Sequence, residues 1–480
     1  MENLEKKYPI SAYLKFALLP LIGILAFFID IPLPEMTIMG YTLPARTTIT
    51  INHLTNIIRA FLWDGNFKVM PYIVLALSLF GLFDLIFRRD KHFATTLGKV
   101  FAVIKVIGVV FIVFAVFGIG FPFMHQPLDI LSVRVVSEDG FVSYVPRSIS
   151  TFITYGVLVT ISISIPLAAA FLPFLLNYGL VEFVGVLVRP VMRPIFRLPG
   201  RSAVILVSAL LGNFSVAHIA VDDQYHKGQM TEREAITICT GFCSSSIAFM
   251  MVLATNAGII DTHWNAYVWS SFLIIILITI IGARIYPLNK IRDGYAPGVQ
   301  AQPEQVYTKK IFRNALHEGL DISSRAVNPI VGIGRIMKAT IGILAAIIMG
   351  AGFSTSVGMI LYIYTPVFEW IGYIFRPLMM LIQIPPQEVA TAATGAAFSV
   401  LELMIPSMLV MTGDWSIHIR FLMAVIPITS IIFLGSFVPS LISTSLPVKF
   451  SYLMIIWLER MILSILFAGG FALLLFGIPT

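Results

Sequence analysis

Charge is scarce in this chain. Lys, Arg, Asp and Glu supply 12% of its 480 residues and hydrophobic residues 58%, whereas a soluble domain carries about 25% charged residues. With a mean hydropathy of +0.91, that shortage excludes an ordinary soluble protein and points to a polytopic membrane protein. Cysteine is scarcer still, with only Cys239 and Cys243 present. They lie one helical turn apart in an apolar run without further soft ligands, so no metal site and no disulfide are expected there. The chain also lacks a phosphate-cradling loop, a His-Glu-x-x-His and a Gly-x-Ser-x-Gly. Nucleotide hydrolysis, metalloprotease and serine-hydrolase chemistry are therefore not expected of it. The apolar runs are long and uninterrupted, not alternating over about ten residues, which excludes a β-barrel.

The net charge of +7 is no argument for nucleic acid, because the basic residues fall in short loops beside apolar runs, where they set topology. The first run, 13–31, is too long for a signal peptide and has no small-residue cleavage site, so it is expected to remain as a span. Two more spans follow at 69–87 and 100–121. Between them RRDKHFATTLGK carries Arg88, Arg89, Lys91 and Lys99, which places that loop and the N-terminus in the cytoplasm. Segments 32–68 and 123–150 are then outside.

From Thr151 the chain repeats itself. Glu182 begins EFVGVLVRPVMRPIFRLPG, and Glu369, 187 residues later, begins EWIGYIFRPLMMLIQIPPQ. Glu182, Gly185, Arg189, Pro190, Met192, Ile195 and Pro199 align without a gap on Glu369, Gly372, Arg376, Pro377, Met379, Ile382 and Pro386. One inserted residue later, Phe214-Ser215-Val216 meets Phe398-Ser399-Val400. Each copy reads as a long span (151–176, 331–360), an amphipathic Arg-Pro arm (178–199, 366–385) and an interrupted apolar stretch (202–221, 388–411). Two further spans close each unit (235–259 and 267–287, 420–441 and 450–477). This divides the chain into an N-terminal unit (1–150), a first repeat (151–287), a basic cytoplasmic linker (288–330) and a second repeat (331–480).

Counting crossings fixes the sense of the repeats. If 202–221 crossed the membrane, the basic linker would emerge outside; if it turns back at Gly212-Asn213, the linker stays inside. The second arm then lies on the outer face, where it keeps Arg376 but lacks counterparts of Arg193, Arg197 and Arg201. The expected fold is thus an all-α polytopic membrane protein with inverted-topology repeats, re-entrant helical hairpins and an N-terminal three-span unit. A non-helical turn at membrane depth is tolerated only against protein or a water-filled cavity. Inverted repeats with broken helices meeting at the midplane describe secondary transporters.

The runs EFVGVLVRPVMRPIFRLPG and GNFSVAHIAVDD, with their second-copy partners EWIGYIFRPLM and GAAFSVLELMIP, resemble the Gate (nucleoside recognition) domain proteins, most closely the YjiH-type branch. The resemblance covers roughly 151–477. Gate domains also occur in concentrative nucleoside transporters, in the membrane part of ferrous-iron transport proteins and in spore-maturation proteins. The resemblance therefore implies an inverted-repeat transport core and leaves the substrate open.

The polar residues of the interrupted stretches are the candidate substrate- or ion-binding set. Asn213 sits at the first hairpin break beside Ser215, and His218 and Glu402 occupy matching positions after FSVA and FSVL. An ionisable side chain in a span costs about 2.5–3.5 kcal/mol on insertion scales and usually has a function. Ser244, Ser245 and Ser246 lie mid-span behind Gly241, with Thr429 and Ser430 as second-copy counterparts, and Ser399 pairs with Ser215. Such serines also bond back onto their own helix. Thr255 and Asn256 are candidates to line an access path. Arg189, Arg193, Arg197 and Arg201 are expected to anchor the first arm to anionic headgroups, at about 1 kcal/mol each. His218 and Asp223 form a His-x-x-x-x-Asp spacing that occurs in acyltransferases, but the second copy has Glu402 where the first has His218. No catalytic residue, enzyme activity or resident metal is expected.

The resulting expectation is a secondary, ion-coupled transporter of a small polar solute such as a nucleoside, base, amino acid or short peptide. It would work by alternating access, with Na+ or H+ as coupling ion and no other cofactor. The alternative is a non-transporting membrane scaffold or assembly factor of the spore-maturation type. Expected partners are the polar solute and membrane lipid, not nucleic acid. A homo-oligomer built on residues 1–150 is expected by analogy. The expected location is the plasma (inner) membrane, multi-pass, with a cytoplasmic N-terminus.

Overall fold

The computed structural model describes residues 8–38, 41–64, 68–87, 96–136, 142–212, 214–242, 244–302, 310–411, 413–442 and 444–479. Among them are seven helices long and apolar enough to cross a membrane, and the chain is a multi-pass membrane protein. Three of these helices, α1 (Ile10–Phe28), α3 (Met70–Phe87) and α4 (Thr96–Phe117), form the N-terminal unit, with the short amphipathic α2 (Thr50–Arg59) between the first two. Of the basic loop, Arg88, Arg89 and Lys91 lie outside the described residues.

The chain is mostly helical, as expected of an all-α polytopic membrane protein, and its few described strands lie in the N-terminal unit. Segments 32–68 and 123–150 carry short antiparallel strand pairs: Asp30–Leu33 with Arg46–Ile49, Met36–Ile38 with Tyr41–Leu43, and Leu128–Val136 with Val142–Arg147. Pro34 and Pro44 stand at the gap between the first two pairs. Neither has an N–H to give to a ladder, which divides one long hairpin into two short ones.

The first repeat comprises α5 (Ile149–Leu176), α6 (Leu180–Val191), α7 (Ser202–Leu211), α8 (Phe214–His226), α9 (Glu232–Gly241), α10 (Ile247–Asn256) and α11 (Trp264–Gly282). The linker is not merely a tether, because it contains α12 (Ile311–Arg325), an amphipathic helix packed on α6 and α1. The second repeat comprises α13 (Pro329–Tyr364), α14 (Val367–Gly372), α15 (Arg376–Leu381), α16 (Val389–Phe398), α17 (Met404–Leu409), α18 (Ile417–Ser430), α19 (Phe437–Ile442) and α20 (Phe450–Phe476). Helices α7, α10 and α16 have ten residues each. At 1.5 Å per residue each is about 15 Å long, half the hydrocarbon thickness. They are half-spans.

The two arms lie at opposite ends of α11. At its C-terminal end, the Arg284 guanidinium donates to the carbonyl of Pro194, behind α6, at 3.4 Å. At its N-terminal end, His263 packs edge-on against Phe476 of α20, and Arg420 of α18 donates to Ala257 O at 3.4 Å. The second arm ends there too, since Glu388 accepts from Ser416 N at the start of α18 at 2.7 Å. The repeats are inverted.

Three of the four arm arginines also have partners in the protein. Arg189 pairs with Glu318 of α12 at 2.9 Å, Arg193 with Glu234 of α9 at 2.6 Å, and Arg201 donates to Gln302 O at 3.1 Å. These guanidiniums tie the arm to the protein. In the second arm Arg376 pairs with Glu369 at 3.0 Å and lies over Tyr373. The helix of the first hairpin's return arm, α8, runs on past residue 221 to His226. The next helix begins with a capping box in which Thr231 and Glu234 satisfy each other's backbone.

The N-terminal unit clasps the first helix of each repeat: α1 packs on α5, and α3 and α4 pack on α13. It is tied to the first repeat by Asn52 Nδ2 donating to Asp261 Oδ1 at 2.7 Å and Trp264 Nε1 donating to Phe27 O at 2.6 Å. Where α4 crosses α13, a Cβ on Gly108 would run into the Met349 carbonyl, whereas one on Gly350 would meet nothing within 4 Å. Gly108→Ala should therefore destabilise the purified protein by about 1–3 kcal/mol in thermal unfolding. Gly350→Ala should be neutral or stabilising by up to about 1 kcal/mol.

Glu182, at the start of α6, has its Oε2 buried with no partner among the described residues. Burial pushes its carboxyl above the usual range, and the charge of Glu318 adds to this. A carboxyl raised in the folded state favours folding below its unfolded value, and that contribution is lost as pH rises through the folded value. Glu182→Gln should thus raise the melting midpoint at neutral pH, with the gain shrinking as pH falls into the carboxyl range.

Candidate functional site

Four interruptions in apolar helices converge in the structure. In the first hairpin α7 ends at Leu211, where Gly212 turns extended (φ −100, ψ −155), and α8 starts at Phe214. Asn213, the expected tip residue, lies outside the described residues. In the second hairpin residues 399–403 separate α16 from α17. The two spans expected at 235–259 and 420–441 are each broken in two. α9 stops at Gly241, and Ser246 caps α10 by accepting from Phe249 N at 3.3 Å. α18 stops at Ser430, and Ile431 is held at φ +41 before α19 begins. A β-branched residue there costs about 1–3 kcal/mol, which the surroundings must offset.

Each broken helix docks on the hairpin of its own repeat through the backbone. Ser244 N donates to Ala209 O at 3.3 Å; Leu434 N donates to Val400 O at 2.7 Å and Gly435 N to Leu401 O at 3.0 Å. The second layer of contacts crosses between repeats. His218 of α8 shares a 3.0 Å hydrogen bond with Ser440 of α19, and Asn256 of α10 donates to Ser407 of α17 at 3.3 Å. The return arm of each hairpin thus rests on the outer half of the other repeat's broken helix.

Glu402 is the carboxylate of this region. Its Oε2 accepts from Ser354 Oγ of α13 at 3.0 Å and its Oε1 from Leu403 N at 3.1 Å. No Lys, Arg or His lies within ion-pair reach of it among the described residues, and it is only half-buried. Gly435 approaches it closely: a Cβ there would sit 2.8 Å from Glu402 Oε2 and 3.0 Å from Leu401 O. His218 is fully buried between Phe214 and Phe437, and its Nε2 has no partner among the described residues. Asp223 instead accepts from Lys227 at 2.6 Å, so His218 and Asp223 are not partners.

The candidate hydroxyls divide into two groups. Ser399 donates to Ala396 O at 2.8 Å, Thr429 to Val425 O at 3.0 Å and Ser244 to Ser245 O at 3.0 Å, all local bonds. Ser430 Oγ is buried with no partner among the described residues. Ser245 is buried, and Ser215 is half-buried in the first turn of α8. Thr255 is half-buried and donates to Met251 O at 2.8 Å, and Asn256 is buried.

Two residues that sequence reasoning passed over complete the region. Ser354 holds Glu402, as described. Arg460 of α20 is 3% exposed; its Nη1 donates to Gly241 O at 3.1 Å and its Nη2 to Thr429 O at 2.6 Å. It joins the C-terminal ends of both broken helices. Each had a signal: Arg460 is an ionisable residue inside a 27-residue apolar helix, and Ser354 opens Ser-Thr-Ser in an apolar run. At the α8–α19 end a surface cluster joins the repeats again. Ser445 Oγ donates to Asp222 at 2.6 Å and also bonds His226.

Comparison with known proteins adds the following. Residues 158–260 match the family model described as Gate, nucleoside recognition, so a Gate domain lies in the first repeat. A protein of Alkalihalophilus pseudofirmus, itself described as uncharacterized, is 29% identical over 304 residues, which are 62% of this chain. The chain spans 64% of that relative's length. Among solved structures, CNTnw in an inward-facing substrate-bound state aligns over 100% of this chain and 95% of that chain at 13% identity, with a TM-score of 0.41. An outward-facing state of CNTnw covers 97% and 98%, at 13% identity and a TM-score of 0.38.

Ser440→Ala would leave both ring nitrogens of buried His218 without partners. It should cost about 1–3 kcal/mol of folding stability. The same substitution in a His218→Leu background should cost far less, as a double-mutant cycle of thermal midpoints would show.

Proposed function

We propose that this chain is a secondary, ion-coupled transporter of a small polar solute that binds where the hairpins and broken helices meet. The observation that carries this reading is the crossed arrangement of two inverted repeats. Each hairpin is held partly by its own repeat and partly by the other, so a shift of one repeat against the other opens one side of the meeting point as it closes the opposite side. A half-buried carboxylate without a countercharge, Glu402, at such a point supplies an acceptor for a hydroxyl or amine, or a seat for a coupling cation or proton. The Gate match over 158–260, with its nucleoside-recognition description, puts nucleosides and bases first among solutes, ahead of amino acids and short peptides. Asn213, Ser215, His218, Ser245 and Ser430 are the further residues proposed to face solute or ion. The basic loop between the second and third spans supports a cytoplasmic N-terminus in a plasma (inner) membrane protein. The N-terminal unit, which clasps α5 and α13, is proposed as the static frame and as the surface for self-association.

The test is a thermal-shift screen of purified protein against nucleosides, bases, amino acids and dipeptides, in sodium and in potassium, at neutral and acidic pH. A ligand at a hundred times its dissociation constant adds about 2.7 kcal/mol to the folded state. One solute class should raise the midpoint, and Asn213→Ala and Glu402→Gln should each abolish the rise. If no class does so in any condition, and cysteines placed at 213, 246 and 402 react from neither side of the membrane, the chain is a scaffold and the transport reading is wrong.

A further inference from the structure

Arg460 raises a question that solute binding does not answer. The last carbonyls of a helix have no partner within it and carry the negative end of its dipole. In transporters built from broken helices, such C-terminal ends are where a coupling sodium ion binds, coordinated by oxygens alone. Here one such end comes from each repeat, Gly241 O from α9 and Thr429 O from α18, and both accept hydrogen bonds from one guanidinium, at 3.1 and 2.6 Å. Arginine carries its charge throughout the physiological range and its planar fork reaches two acceptors at once.

We infer that Arg460 is a built-in cation occupying the place a sodium ion would take between the two helix breaks, and that this chain is therefore indifferent to sodium. The inference rests on the transport reading and narrows it, since a proton is then left as the coupling ion. Two serines neighbour these residues in sequence. Ser430 Oγ follows Thr429, and Ser464 Oγ lies one turn along α20 from Arg460; both are buried without partners among the described residues. With the guanidinium removed, the two carbonyls would remain as hard oxygen donors suited to a small cation.

The experiment compares melting midpoints in sodium and potassium chloride at matched ionic strength, with no solute added, for the wild-type protein, Arg460→Lys and Arg460→Met. Wild type and Arg460→Lys, each with a resident cation, should melt at the same temperature in both salts. Arg460→Met should melt lower than wild type in potassium and recover by a few degrees as sodium is added, saturably. Sodium-specific stabilisation of the wild-type protein overturns the inference, and so does a folded Arg460→Met that ignores sodium. Should Arg460→Met be lost in every salt, the wild-type comparison decides: equal midpoints uphold the inference, and a sodium-specific shift overturns it. Because no solute is present, the result is separate from whether any solute class binds.

Discussion

A helix that stops inside a membrane leaves carbonyls with nothing to accept from, at a cost of several kcal/mol for each group left unpaired in hydrocarbon. Two of the four helices that stop in that way, α9 and α18, are answered by the same side chain. Arg460 places a positive charge and two donors between the ends of the two repeats. The interruptions therefore persist as built features. The polar residues around them can then hold positions that continuous helices would not have provided.

The hairpins depend on the same constraint. Their tips expose backbone groups, and the non-helical stretches of the broken helices supply matching ones, as in the Leu434–Val400 and Gly435–Leu401 bonds. Each hairpin's return arm is then held by the opposite repeat, through His218–Ser440 in one direction and Asn256–Ser407 in the other. Neither repeat is complete alone. The N-terminal unit packs on the two long helices that open the repeats.

Much of this architecture was legible in the sequence, for local reasons. Gly212, Gly241 and the serines after it interrupt apolar runs, and the breaks fall at or beside them. The Glu–Arg-Pro signature marked both arms, and counting charged loops led to their opposite placement. Less was legible where a residue type has two uses. The arm arginines looked like headgroup anchors, since a basic amphipathic segment at a membrane surface supports that reading, yet Glu318 and Glu234 claim two of them. Ser399 and Thr429 looked like ligand hydroxyls and bond to their own helices. The strand pairs of the N-terminal unit were missed because short outer loops between spans carry no strong periodicity.

Span length, hydrophobic pattern, repeat and break position are properties of neighbouring residues, so the chain carries them in readable form before it folds. The choice of partner is different. Arg460 meets a carbonyl 219 residues away and His218 a hydroxyl 222 residues away, while Ser354 reaches Glu402 from another helix. Nothing in local composition selects those pairs. They arise when helices of fixed length pack in antiparallel repeats and every buried polar group must find whichever donor or acceptor the packing brings within about 3 Å.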